Sequence, residues 1–224
     1  MKILAVQSRM GIGDTVIFLP FIKALSKKFN SPISILVKEN SKANQYLHQT
    51  KYIDKILTLE RDNKTNNRHG GFFGIFKLAN DLKKYKFDKI FIFNSSLRFN
   101  LIAKISGIPQ IYQYPLFAKN KQHIIEAPKK FLKKNLNLDI NEDPEVQIDD
   151  DSISKAAQKF QINKNTTNIL LGIGGSGPTK RIPAKTFLSV IDKISNMKNC
   201  RFFLATGKAN EEQDCLLYTS PSPR

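Results

Sequence analysis

Three short segments carry residues whose types and spacing suit chemistry on a charged ligand. The first is Gly11-Ile-Gly13-Asp14, between a β-rich run at residues 2–7 and apolar residues at helical spacing, Val16, Ile17, Leu19, Ile22, Leu25 and Phe29. Glycine there permits close approach of a ligand. Asp14, at the helix entrance, is either an N-cap or an acid/base group facing a cleft. The second segment is Gly172-Ile-Gly174-Gly175-Ser176-Gly177-Pro-Thr-Lys180, after the strongest strand-like run at 168–173. Glycine amides, a hydroxyl and a lysine at a strand end suit a diphosphate; an ordinary flexible turn is the other reading. The third, Gly207-Lys-Ala-Asn-Glu211, sets a carboxylate near the same sheet edge, where it can accept hydrogen bonds from ribose hydroxyls. The first of them is neither a dinucleotide fingerprint nor a P-loop. Val16 stands where the third glycine of G-x-G-x-x-G falls, and no Gly-Lys-Ser/Thr follows.

Alternating short strands and helices must position these segments. Strands are expected at 2–7, 33–37, 55–59, 89–93, 168–173 and 200–205, and helices from Val16, at 42–48, 72–85, 97–106, 152–160 and 184–196. Pro20 reads as close enough to the helix start to be tolerated. Residues 60–71 are polar throughout and read as a loop. The pattern predicts an α/β fold with a parallel sheet and helices on both faces. An acidic stretch at 139–151, containing Pro144, reads as a linker closing a first domain over 1–150. A second α/β unit over 151–214 shows only about two strands, and residues 215–224 abandon the pattern and read as a non-native tail.

Composition narrows the partners. The 224 residues carry 36 basic and 19 acidic side chains, a net charge of +17. Residues 1–138 hold +17 of this, 139–151 hold seven acids and no base, and 152–224 return +7. A basic first domain suits an anionic partner or an anionic membrane surface, or is simply solvated. The bases are 29 Lys against 7 Arg, which argues against nucleic acid, where bidentate arginine dominates recognition. No apolar run is long enough to span a membrane and no signal peptide opens the chain, so a cytoplasmic location is expected. Cys200 and Cys215 lack metal spacing with any histidine, and His48, His69 and His123 are isolated, so they read as surface or packing residues and no metal site is expected.

In combination the segments resemble the ADP-heptose:lipopolysaccharide heptosyltransferases, glycosyltransferase family 9. Residues 11–25 are similar to the family's opening, Gly-Asp, an apolar turn, Pro and a basic-tailed helix. Residues 82–93 and 96–107 resemble its second recurring region, and 172–183 its phosphate loop and Lys-Arg-Trp-Pro element, with Ile182 for the aromatic. Gly207 and Glu211 resemble its nucleoside-binding segment. The resemblance implies a GT-B architecture of two Rossmann-like domains, the second incomplete here, facing across a cleft with acceptor on the first and nucleotide sugar on the second. It implies metal-independent, cofactor-free transfer of heptose or a related sugar with inversion, from an ADP-sugar such as ADP-heptose to the lipopolysaccharide core, and the basic first domain leaves room for peripheral contact at the inner membrane. Asp14 would be the general base; Gly174, Gly175, Ser176, Gly177 and Lys180 would hold the diphosphate, and Glu211 the nucleoside. Gly13, Arg61, Lys64 and Arg68 would meet the lipid A–core acceptor. The family's later Asp-Ser/Thr-Gly segment, with its following His, does not occur, which implies little transfer by these 224 residues alone.

Two other classes compete. A dehydrogenase or epimerase with a dinucleotide-type site needs a third glycine and an acid about 20 residues on; Glu39 is suitably spaced, but Val16 opposes it. A basic RNA-binding protein needs aromatics interleaved with Arg on one sheet face. The phenylalanines here sit mainly at core-like positions.

Overall fold

Strands buried on both faces read as near-continuous apolar runs, and the first two do so here, with Ser34 the one interruption before Lys38. In the computed structural model, which describes residues 1–8, 11–61, 67–116, 123–174 and 182–206, β1 is Ile3–Val6 and β2 is Ile33–Lys38, with only Lys38 not buried. The chain divides into two compact units, Met1–Asp149 and Asp150–Arg224.

In the first unit β3 (Ile53–Leu59), β4 (Lys89–Ile92) and β5 (Gln110–Gln113) join β1 and β2 in a parallel sheet of order β3-β2-β1-β4-β5. Side chains alternate between its faces. Ile3, Ala5, Ile33, Ile35, Val37, Phe91 and Phe93 enter one core with Phe18, Phe21 and Leu25 of α1 (Ile12–Phe29). Leu4, Val6, Leu36, Ile90 and Ile92 enter the other with Leu78 and Leu82 of α3 (Phe73–Lys83) and Phe99 and Ile102 of α4 (Leu97–Ile105). A short α2 (Ala43–Tyr46) follows a single 3-10 turn at Glu39–Ser41. α1 ends at Asn30, left-handed at φ 47°, with Lys27 and Lys28 in its last turn. Pro20 lies deep in α1 rather than near its start, and is buried there. It removes the helical donor for the Val16 carbonyl, and packing of the surrounding apolar face offsets that loss.

Two elements had no counterpart in the sequence reading. β5 presents little beyond Ile111 and Tyr112 as an apolar signal. α5 (Glu126–Leu136) is lysine-rich and buries only Pro128, Phe131 and Leu132. Its Phe131 nonetheless meets Phe91, Phe93 and Tyr114 edge-on, with ring centroids 6.5, 5.4 and 5.0 Å apart.

Through Asp149 the acidic stretch packs along the first unit. Ile140 is buried in the first core, and Val146 packs against it. Glu142 pairs with Lys27 and, at 3.4 Å, with Lys23. The Gln147 side chain accepts from the Lys51 amide at 2.9 Å, and Gln49 binds Asp149. Hydrogen bonding from Lys27, outweighing the cost of burial, holds Glu142 below the ordinary carboxylate range, with Lys23 adding to it. The Tyr52 hydroxyl donates to the Glu145 carbonyl at 3.3 Å. Burial, with the charges of Glu145 and Glu142, pushes its ionisation up to about 12. A raised folded-state pKa means stability is fully present below the tyrosine's unfolded value and is lost as pH climbs through the folded one. Ultraviolet titration is therefore expected to show Tyr52 ionising well after exposed tyrosines, and Glu145→Gln to move that step down.

In the second unit β6 (Thr167–Gly172) pairs in parallel with β7 (Cys200–Ala205). α6 (Asp150–Lys159) precedes this pair, and α7 (Ala184–Met197) connects its strands. Ile173 and Phe187 form the core, with Leu171, Ala184 and Leu204 against them, while Leu170 is exposed.

Candidate functional site

A doubly wound sheet binds ligands beyond the carboxyl ends of its strands, where the strand order reverses. That point lies between β1 and β4, because β2 and β3 extend to one side and β5 to the other. The Gly11–Asp14 turn leaves β1 there. Gly11 is the N-cap of α1, and the Asp14 Oδ2 accepts its amide at 3.2 Å. This is half of a capping box, with Asp14 reaching back from the third helical position. The Asp14 carbonyl accepts from the buried Gln7 side chain at 3.3 Å, and the Thr15 hydroxyl donates to the Gly11 carbonyl at 3.1 Å. The turn is thus braced from both sides. Asp14 is half-buried, and a carboxylate capping with one oxygen keeps a second for other partners.

A chain of amides and hydroxyls continues across the switch point. The Asn94 amide donates to Ser8 Oγ at 3.2 Å, linking the ends of β1 and β4. The Asn94 side-chain oxygen accepts the Ser96 amide at 3.0 Å, which turns the chain into α4. From the end of β5, Gln113 donates to the carbonyls of Asn94 (3.1 Å) and Ser96 (2.9 Å) and accepts from Asn100 (2.9 Å). Beyond this network a cleft of about 740 Å³ opens between β5 and α5, lined among others by Gln113, Tyr114, His123, Glu126, Lys130 and Phe131. Asp14 was singled out from sequence, whereas Gln7, Ser8, Asn94 and Gln113 were not. Their one signal is position, as polar residues closing apolar strands.

The basic-loop residues fall differently. Arg68 Nη2 lies 2.8 and 2.7 Å from the two oxygens of Asp81 on α3. Its charge is committed within the fold. Arg61 is half-buried and engaged, and Lys64 lies outside the described residues. Asp81 also meets Lys84 (3.3 Å) and the Nε2 of the buried His69 (3.2 Å), whose Nδ1 accepts the Glu60 amide at 3.1 Å. An Nδ1 that accepts puts the ring proton on Nε2, so His69 donates to Asp81. Partial burial opposes ionisation of Asp81, but hydrogen bonds from His69, Arg68 and Lys84 outweigh it and hold the group below the ordinary carboxylate range. Gly13 is exposed in the first turn of α1.

In the second unit β6 and β7 deliver their carboxyl ends side by side, with the Ile173 amide donating to the Ala205 carbonyl at 2.8 Å and Gly174 exposed just beyond. Gly175, Ser176, Gly177, Lys180 and Glu211, and the tail at 215–224, lie outside the described residues. Among the described residues no three His, Cys, Asp or Glu side chains gather as metal ligands, and no helix is long and apolar enough to cross a membrane.

No protein-family model and no curated protein matches the chain. Solved structures do. A glycosyl transferase family 9 protein from Veillonella parvula superposes with a TM-score of 0.75 at 18% identity, over 99% of this chain and 68% of that one. E. coli ADP-heptose lipopolysaccharide heptosyltransferase II gives 0.69 at 16% identity, covering 98% and 69%. The chain has the family 9 glycosyltransferase fold. E. coli heptosyltransferase WaaC, solved with ADP, adds a third match at 0.63 and 12% identity, covering 96% and 70%. This is the GT-B fold, two α/β units with parallel sheets, and Asp14 stands at the switch point of the first.

Proposed function

We propose that this protein transfers a sugar from a nucleotide sugar to a glycan acceptor, with Asp14 as general base. The observation that carries the reading is a braced, half-buried carboxylate at the switch point of a sheet whose chain has the family 9 fold. In its finer form the donor is ADP-heptose, the acceptor is the lipopolysaccharide core, and the anomeric configuration inverts. The ADP in one E. coli structure of this fold supports an adenine donor.

An acceptor hydroxyl would attack the anomeric carbon as Asp14 takes its proton. The bond from that carbon to the diphosphate breaks, and the departing electron pair places charge on the phosphate oxygens. Lys180 and the amides of residues 174–177 would stabilise that charge as it grows, which is where such donors act most strongly. Glu211 would hold the nucleoside, and Gly13, with Arg61 and Lys64, would border the acceptor. Arg68 would act indirectly, by fixing α3 through Asp81.

Titration calorimetry on the complete reading frame tests the donor assignment. ADP-heptose is expected to bind in preference to GDP- and UDP-sugars, and Lys180→Ala to weaken it by about tenfold or more, since a charge-assisted contact is lost. Equal affinity for all three nucleotides would remove ADP-heptose as donor, and no binding to any would remove the transferase reading.

A further inference from the structure

Three aromatic rings at the start of α3 take no part in either core. Phe72, Phe73 and Phe76 are 68%, 76% and 47% exposed, and contact one another at 6.0 and 5.7 Å between centroids. Leu97, Leu101 and Ile105 of α4 form a second exposed row at four-residue spacing. The two rows adjoin. Arg98 donates to the Gly71 carbonyl at 2.7 Å, and eight residues along both segments Ser106 donates to the Ala79 carbonyl at 3.1 Å. These ties run α3 and α4 side by side in the same direction and bring Leu101 level with residues 73–76.

The charges on this layer are predominantly basic. α3 and α4 carry Lys77, Lys83, Arg98 and Lys104 against a single acid, Asp81, which Arg68, His69 and Lys84 already hold. We propose that the α3–α4 surface, led by Phe72, Phe73 and Phe76, docks the first unit onto an anionic lipid bilayer. Exposed aromatic side chains beside lysines, without free acids, match the interfacial zone, where rings enter the acyl boundary and ammonium groups meet headgroup phosphates. A second copy is the poorer occupant, because a two-fold contact sets the same patch against itself and lysines against lysines. Phe72 begins its helix just after the loop that leaves the carboxyl end of β3, the edge that also carries Asp14. Docking through it therefore turns the acceptor side of the unit toward the membrane, which suits a lipid-linked acceptor. That purpose rests on the transferase reading; the surface itself does not.

The test is sedimentation of the purified full chain with phosphatidylcholine vesicles, with and without about one third phosphatidylglycerol. Wild type is expected to partition onto the anionic vesicles, and Phe72→Ser/Phe73→Ser/Phe76→Ser to reduce that partitioning at least about tenfold. Because the rings are exposed, the variant should keep the wild-type thermal midpoint. The chain contains no tryptophan, so Phe73→Trp gives a single reporter that removes no apolar surface. Its emission is expected to shift to the blue and to be quenched by lipids brominated along the acyl chain. Three results would each overturn the proposal: wild type that ignores anionic vesicles, a triple variant that binds as wild type does, or indole emission of the Phe73→Trp variant unchanged by them. A wild-type dimer that the triple variant dissolves, without vesicle binding, would assign the patch to a second copy instead. The vesicles hold neither nucleotide sugar nor glycan, so failure here and failure of the donor titration are separate results.

Discussion

Replacing Asp14 with asparagine is expected to lower sugar transfer by about 10²–10⁴-fold, the usual worth of a positioned general base, with nucleotide-sugar affinity and thermal stability close to wild type. The substitution separates the two roles this residue can play. As a cap, Asp14 needs only an oxygen to accept the Gly11 amide at 3.2 Å, and the asparagine carbonyl provides one in the same place. As a base it must take a proton from an attacking hydroxyl, which an amide cannot do. Asp14→Ala removes both functions and should also cost about 1 kcal/mol of stability through the lost cap. Steady-state transfer rates beside thermal melts of the two variants decide between them. If Asp14→Asn transferred sugar at the wild-type rate, Asp14 would be a cap alone and another group would have to carry the base.

Gly74→Ala is expected to destabilise the first unit by about 2–3 kcal/mol, as overpacking against fixed atoms does. Helix propensity alone argues for the opposite sign, since alanine is better than glycine inside a helix by about 1 kcal/mol. The neighbours decide. A methyl group at Gly74 would lie 2.3 Å from the His69 carbonyl carbon and 2.4 Å from its oxygen. Those atoms are backbone, and they are pinned. His69 is held by Glu60 and Asp81, and Arg98 grips its carbonyl. At Gly70 the atoms nearest to the same addition belong to the side chain of Asn67, which can turn away. Chemical denaturation of Gly74→Ala and Gly70→Ala should therefore show a large loss for the first and a small one for the second. A stabilised Gly74→Ala would mean that α3 does not lie this close to His69.

Much of the sheet was legible because its strands are buried on both faces, so β1, β2 and β4 stand out as apolar runs between turn residues. Helices α3, α4 and α7 were legible from the spacing of residues such as Leu78, Leu82 and Phe99. β5 and α5 were not, because a four-residue strand and a lysine-rich helix with three buried side chains leave almost no periodic signal. The acidic stretch reads as a linker by composition. Its long-range pairing with Lys23, Lys27 and Gln49, roughly a hundred residues away, is tertiary and leaves no local trace. His69 looks isolated for the same reason, although its partners Glu60 and Asp81 lie only 9 and 12 residues off.

Asp14 was visible in sequence because glycines beside an acid, between strand and helix, are unusual enough to notice. The polar network around it was not. Asn94 and Gln113 become neighbours only when β4 and β5 pair beside β1, and nothing in their own segments announces it. The exposed phenylalanines show the converse error. Phe73 and Phe76 fit the apolar spacing of α3, yet that face turns away from the core, and periodicity cannot tell a buried face from one awaiting a partner.

The most direct measurement is product analysis by mass spectrometry after incubating the protein of the complete reading frame with ADP-heptose and a lipid A–core acceptor. The account predicts one heptose added to the acceptor for each ADP released, and loss of both products in Asp14→Asn. A donor sugar altered while still joined to its nucleotide, or a folded protein that leaves both substrates unchanged, would contradict it.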